Sequence, residues 1–367
     1  MRVGVPKETK DNESRVALTP DGVADLTGNG HEVVVERGAG AACGFGDDAY
    51  ELSRARLGSA ADAWAAELVV KVKEPLLHEY GYFRGQVLFA YFHLAGAPPA
   101  LTSALIASRT TAVAYETVED ERGRLPLLAP MSAIAGSMAP LMGAYYLAKF
   151  NGGRGTLLGN VLGLAHGKVV IVGDGVVGRH ACNVASGLGA NVSVFGITPE
   201  RAPEFERHPA VKYVLSTPAG IAAELRDADL LVGAVLRVGA RAEHVITMEM
   251  VAGMPPGSVI VDVSIDQGGC VETSRPTSHS DPVFVASGVT HYCVTNMPGA
   301  YPRTATIALA AATLPYIRRL AGGGLSAVAA DAGFARGINV HAGDVTYRAV
   351  AEALGLLDRY RPFAVPH

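Results

Sequence analysis

Cysteine is scarce and unpatterned in this sequence. The four that occur, Cys43, Cys182, Cys270 and Cys293, form no C-x-x-C pair, which fits neither a zinc knuckle nor a disulfide framework and suits a reducing cytosol. A basic excess is missing too. The 31 Lys and Arg stand against 35 Asp and Glu, a net charge of -4, which argues against a nucleic-acid partner. No charge-free apolar stretch is long enough to cross a bilayer, and residues 1–8 lack the apolar region of a signal peptide. A cytoplasmic protein without a membrane partner is therefore expected, and no metal site is indicated. The mean hydropathy of +0.23 then reads as a large core or buried subunit contacts.

What is present is apolar and long. With 49% hydrophobic and 18% charged residues the chain lies outside the disordered regime, and 367 residues exceed what one core usually serves, so two domains are expected. Short β-branched runs at 2–6, 32–36, 68–72, 87–90 and 111–114 alternate with helical patterns, which implies a mostly parallel sheet. Residues 131–150, MSAIAGSMAPLMGAYYLAKF, read as a buried connecting helix that Pro140 should kink or interrupt. A second β/α series has strand candidates at 169–172, 192–195, 211–215, 230–235, 258–263 and 290–294. Residues 304–320 look like a return helix disturbed by Pro315, after which the chain packs back on the first domain. The fold expected is α/β: two Rossmann-like, doubly wound domains joined by long helices, the first domain discontinuous. Its parts are 1–126 with 303–367, for substrate, and 127–302, for a dinucleotide.

The strand KVVIV runs straight into Gly173-Asp174-Gly175-Val176-Val177-Gly178. As G-x-G-x-x-G between a strand and a helix, this provides a tight turn, close backbone approach to a pyrophosphate and a helix dipole facing it. About twenty residues on, a carboxylate normally accepts hydrogen bonds from the adenosine ribose. Here stands Gly196, in VFGITPER. Without that carboxylate the usual barrier to a 2'-phosphate is gone, and Thr198 and Arg201 supply a hydroxyl and a guanidinium to it, so NADP(H) is favoured within an NAD(P)(H) site. The alternative is NAD held by Glu200 or backbone amides, with Arg201 a solvated charge. Ser216, Val235 and Leu236 are assigned to the cofactor as well.

Five polar residues sit in apolar or glycine-rich surroundings: Arg15 in NESRVALTP, Lys73 in VVKVKEP, His93 in FAYFHLAG, Asp266 in VDVSIDQGG and Asn296 in VTNMPG. Lys73 and His93 each follow an apolar run, at the strand ends where open α/β sheets bind ligands. Against a site stand plainer roles: a satisfied core histidine, a helix-capping Asp266, a snorkelling Lys73. Buried cations, a histidine and a carboxylate together suit a small anionic substrate and proton transfer at neutral pH.

The segments MRVGVPKETKDNESRVALTP, LVVKVKEP, LPLLAPMS, IVGDGVVG, VDVSIDQGGC and TNMPGAYPRT resemble those of alanine dehydrogenases, over essentially the whole chain. The membrane nicotinamide transhydrogenases share that ancestry, but this chain lacks their spans. The resemblance implies a cytoplasmic homohexamer catalysing reversible oxidative deamination of L-alanine to pyruvate and ammonium. It also implies roles: Arg15 and Lys73 for the substrate carboxylate and carbonyl, His93 as general acid/base, Asp266 assisting proton transfer and holding the amine. Asn296 would border the nicotinamide and Ser132 a cofactor phosphate. Two departures stand out besides Gly196: where the family pattern resembles M-S-E-x-A-G-R, this chain has Ala133 and Ser137. A related dehydrogenase or imine reductase acting on another small 2-oxo acid, or a catalytically silent nucleotide-binding protein, are the competing expectations.

Overall fold

The computed structural model describes residues 1–236 and 244–363. They form two compact units, one from residues 1–131 and 299–363, the other from 132–236 and 244–298. The first unit thus uses both ends of the chain, and residues 364–367 of the expected return segment lie outside the described residues.

Among the described residues the first unit carries an eight-stranded sheet in the order Asp344–Val345, Ile338–His341, Thr111–Ala114, Val87–Ala90, Leu68–Val70, Arg2–Val5, Glu32–Glu36, Arg56–Gly58. The last six are mutually parallel, and the first two add antiparallel at one edge. Parallel strands are covered on both faces, which is why these read as unbroken apolar runs: Val33, Val34 and Val35 are all buried. Strands Arg56–Gly58, Ile338–His341 and Asp344–Val345 escape sequence reading because two to four residues give little period to detect. Beneath the sheet, helix Ala60–Trp64 opens on a Ser59/Asp62 capping box. It delivers Trp64 into a cluster with Val69, Leu88, Ala90, Leu101 and Ala112, where its ring stacks on Tyr82 with centroids 5.6 Å apart.

In the second unit the sheet order is Val211–Leu215, Asn191–Gly196, Lys168–Val172, Leu230–Gly233, Val259–Asp262, Val289–Tyr292, Val283–Ala286. Counting its six parallel strands along the chain gives 3-2-1-4-5-6, the Rossmann order, with the switch point between Lys168–Val172 and Leu230–Gly233. Val283–Ala286 is an antiparallel edge, and Gly159–Val161 with Leu164–His166 makes a separate hairpin. Neither was expected from the sequence.

Neither proline interrupts its helix. Helix Ala129–Leu147 runs through Pro140, where burial of Met138 and Ala139 outweighs one lost backbone hydrogen bond. Helix Pro302–Ala329 runs through Pro315 and past residue 320, and its break lies instead at Gly324 (φ 57°, ψ -150°).

Trp64 is the chain's one tryptophan and 1% exposed. Trp64→Ala should cost about 3–5 kcal/mol, read as a lower urea midpoint by far-UV circular dichroism; an unchanged midpoint would contradict this core.

Candidate functional site

In the first unit, charge is concentrated just beyond the carboxyl ends of its parallel strands. Arg15 is 2% exposed and held by Glu13, whose Oε1 accepts the guanidinium Nε (2.7 Å) and the Arg15 backbone N–H (3.0 Å), while Oε2 pairs with Nη2. The third nitrogen, Nη1, donates to the Met131 Sδ at 2.9 Å. Burial alone would depress the Arg15 pKa, but the hydrogen bonds and charge of Glu13 raise it above its ordinary value.

Strand Leu68–Val70 leads into Lys71, Val72 and Lys73. Lys71 is buried between Glu8 Oε2 (3.1 Å) and Glu79 Oε1 (3.0 Å), and Glu8 Oε1 also accepts the Val72 N–H at 2.6 Å. Burial would lower the Lys71 pKa, yet the two carboxylates hold it above its ordinary value, and burial raises that of Glu8 despite Lys71. Lys73 is equally inaccessible, so it does not snorkel; it faces Glu74 at 3.8 Å, and Glu74 binds Lys10.

Strand Val87–Ala90 leads to His93, which adopts a left-handed φ of 48°. Glu116 fixes that turn: its carboxylate accepts the backbone N–H of Phe92 (3.3 Å) and of His93 (2.6 Å), with the imidazole Nδ1 4.0 Å away. Tyr91 stacks on the imidazole, centroids 5.8 Å apart and rings nearly parallel, and anchors its hydroxyl on the Leu127 carbonyl. Burial pushes the Tyr91 phenol far up, so it is a neutral donor at any physiological pH.

The second unit holds the glycine loop. Gly173 has φ 122°, and a Cβ there would enter the Ala234 carbonyl; one at Gly178 would enter the carbonyl of Gly173. Gly175 is different. It precedes helix Val176–Leu188 without any side-chain cap, and a Cβ on it would meet nothing within 4 Å. That is a cradle open at the amino end of a thirteen-residue helix, with uncapped N–H groups of Val176, Val177 and Gly178, and it fits a dinucleotide pyrophosphate.

At the end of the next strand the space beside Gly196 is filled. A Cβ on Gly196 would overlap the Tyr213 hydroxyl oxygen and lie 2.5 Å from Asp174 Oδ2. Losing a side chain at 196 therefore does not leave that place without a carboxylate, because Asp174 supplies one from the glycine loop. Arg201, its side chain 41% exposed, is tied to the glycine loop: Nη1 donates to the Asp174 carbonyl (2.9 Å) and stands 3.5 Å from Oδ1. Thr198 is engaged through its backbone N–H, which donates to Asp174 Oδ2 at 3.1 Å.

Asp266 is exposed in the turn Val263–Gln267 and accepts the Asn296 backbone N–H at 3.1 Å. The capping role considered for it belongs to Asp262, which accepts the Ser264 N–H. Asn296 also takes a left-handed φ, 60°. Ser216 donates its N–H to the Gly196 carbonyl (2.8 Å), the Val235 carbonyl accepts the Ser264 hydroxyl (2.7 Å), and Leu236 is exposed. Ser132 is half-buried near the start of its helix, and one turn on the Ser137 hydroxyl donates to the Ala133 carbonyl at 2.9 Å. The two departing positions thus face each other at i, i+4.

Arg15, Lys73 and His93 accordingly belong to one unit, and the glycine loop, Asp266 and Asn296 to the other. Sequence reading missed Glu8, Glu13, Lys71, Glu79, Tyr91 and Glu116, which hold the first set, and Asp174 and Tyr213 in the second. The available signal was charge inside apolar runs, as in VVKVKEP, which makes Lys71 as notable as Lys73. Glu13→Ala should remove the carboxylate that holds the buried Arg15 guanidinium and cost about 3–5 kcal/mol, measured by urea denaturation. Glu13→Ala with Arg15→Met should recover part of that loss, and a double variant no more stable than the single would contradict the pairing.

Residues 4–135 match the family model Alanine dehydrogenase/PNT, N-terminal domain, and residues 139–348 match Alanine dehydrogenase/PNT, C-terminal domain. An alanine dehydrogenase of Halomonas elongata is 50% identical over 362 residues, covering 97% of each chain. One of Bacillus subtilis is 51% identical over 362 residues, covering 97% of this chain and 95% of its own. A solved L-alanine dehydrogenase superposes with a TM-score of 0.91 at 48% identity, covering 97% of this chain and 99% of that one. Two domain models and half-identity from end to end leave one assignment: this chain belongs to the alanine dehydrogenase/PNT family.

Proposed function

We propose that this protein is an alanine dehydrogenase, interconverting L-alanine with pyruvate and ammonium by way of a nicotinamide dinucleotide. The observation that carries this reading is Arg15: a guanidinium sealed from water beyond the strand ends and kept charged by Glu13. A substrate carboxylate meeting such a cation would accept a charge-assisted hydrogen bond. In the proposed division, the first unit binds substrate and the second the cofactor.

Lys73 would direct its ammonium to the substrate carbonyl oxygen, favouring charge that builds there. His93 would move the protons of ammonia addition and water loss, and return them in the other direction. Glu116 would act through it, holding the backbone turn that aims the imidazole. Asp266 would sit with the cationic amine, its position fixed by the Asn296 N–H. The nicotinamide, when bound, exchanges hydride with the substrate carbon. For the cofactor, the N–H groups at Gly175–Gly178 and Ser132 would hold phosphates, Asn296 would border the nicotinamide, and Ser216, Val235 and Leu236 would line the remainder. The NADP(H) preference drawn from Gly196, Thr198 and Arg201 is weakened by the Asp174 carboxylate beside Gly196, which favours NAD(H) instead.

We take the protein to work as a cytoplasmic homo-oligomer, a hexamer by resemblance. In support, the four cysteines are free and buried, no helix among the described residues is long and apolar enough to cross a membrane, and Phe150, Leu157, Leu162 and Leu164 lie exposed on the second unit.

The test is the initial rate of reduced-cofactor oxidation with pyruvate, with and without ammonium, for the wild type and His93→Ala. Turnover should require ammonium, and His93→Ala should lose about 100-fold or more in kcat while still binding cofactor. Ammonium-independent turnover, or a His93→Ala variant with normal kcat, would overturn the reading.

A further inference from the structure

The carboxylate expected at the end of the second strand of the second unit is absent from position 196, yet a carboxylate is present in the same place. Asp174, the first variable residue of the glycine loop, extends its side chain across to the tip of strand Asn191–Gly196. There Oδ2 stands 2.5 Å from where a Cβ of residue 196 would be. The group is fixed rather than passing through. Its Oδ2 accepts the Thr198 N–H (3.1 Å) and lies 2.9 Å from the Tyr213 hydroxyl, which itself accepts the Thr198 N–H. Arg201 closes the other side through the Asp174 carbonyl. Burial and the bond to Asp174 push the Tyr213 phenol up to about 12, so it remains a hydroxyl donor. Among the described residues, Oδ1 has one approach, the Arg201 guanidinium at 3.5 Å, which is longer than a good hydrogen bond.

We propose that Asp174 is the specificity-determining residue of the cofactor site: its carboxylate takes the adenosine ribose hydroxyls and disfavours a 2'-phosphate, making the protein selective for NAD(H). The inference rests on the dinucleotide reading of the second unit. A carboxylate at this place accepts the two ribose hydroxyls, whereas a 2'-phosphate would set two anions against each other. The Arg201 charge beside it is already shared with Asp174, so it does not offset that repulsion. Tyr213 is a positioning residue, holding Oδ2 and leaving Oδ1 for the ribose. Gly196 is then required by Asp174 and Tyr213, since any side chain at 196 would displace them.

The test is equilibrium binding of NADH and NADPH, followed by nicotinamide fluorescence without substrate, to the wild type, Asp174→Ala and Asp174→Asn. Thermal melts report whether each variant is folded. The wild type should bind NADH at least about ten-fold more tightly than NADPH. Asp174→Ala should weaken NADH and strengthen NADPH, moving the ratio by about ten-fold or more. Asp174→Asn keeps an acceptor for Thr198 and Tyr213 but loses the charge, so it should improve NADPH while retaining much of the NADH affinity. A wild type that prefers NADPH, or variants that change both affinities in parallel, would overturn the proposal. If neither nucleotide bound the wild type, the dinucleotide reading would fall, and the proposal with it; binding of both with an unmoved ratio would fault Asp174 alone.

Discussion

A guanidinium or an ammonium withdrawn from water persists as a charge only if a carboxylate is withdrawn with it. The first unit is arranged around that requirement. Arg15 needs Glu13, and Lys71 needs Glu8 and Glu79, none of them more than slightly exposed. The carboxylates then do second duty on the backbone, with Glu8 taking the Val72 N–H and Glu116 the N–H groups of Phe92 and His93. Each strand end is thus tied to a charge that is itself tied down, so Lys73 and His93 emerge from fixed backbone rather than from mobile loops. Pairs of this kind cost stability relative to an apolar core, and their retention here coincides with the residues that substrate chemistry would use.

The second unit solves the complementary problem, an anion to be met by backbone. Close approach of the loop to Ala234 and of Gly178 to Gly173 leaves no room for side chains. Open space at Gly175 faces the uncapped first turn of the helix at Val176. One unit therefore offers fixed cations and the other fixed N–H dipoles, suited to a small carboxylate and to a pyrophosphate respectively.

Much of this is legible in the sequence because it is local. The glycine loop, the six parallel strands of its sheet and the apolar runs that end in KVK and FH all announce themselves within a few residues. What escapes is non-local. Glu116 is distant in sequence from His93, and Glu8 from Lys71, so neither pairing leaves a spacing to read. Asp174 occupies a position that the glycine pattern leaves unspecified, and its meaning comes only from its meeting with Gly196 and Tyr213 across two strands. Reading Gly196 alone suggested a missing carboxylate where the fold supplies one. Pro140 and Pro315 mislead for a related reason: local propensity predicts a break, but packing of the rest of each helix decides otherwise.

The chemistry assigned to this protein is followed most directly through the atoms. Pyruvate, isotopically heavy ammonium and a reduced nicotinamide deuterated at its transferable position would be incubated with the enzyme, and the products analysed by mass spectrometry. The expected product is L-alanine carrying both the heavy nitrogen and one deuterium on its α-carbon. Deuterated lactate, or alanine lacking either label, would contradict an amino-acid dehydrogenase.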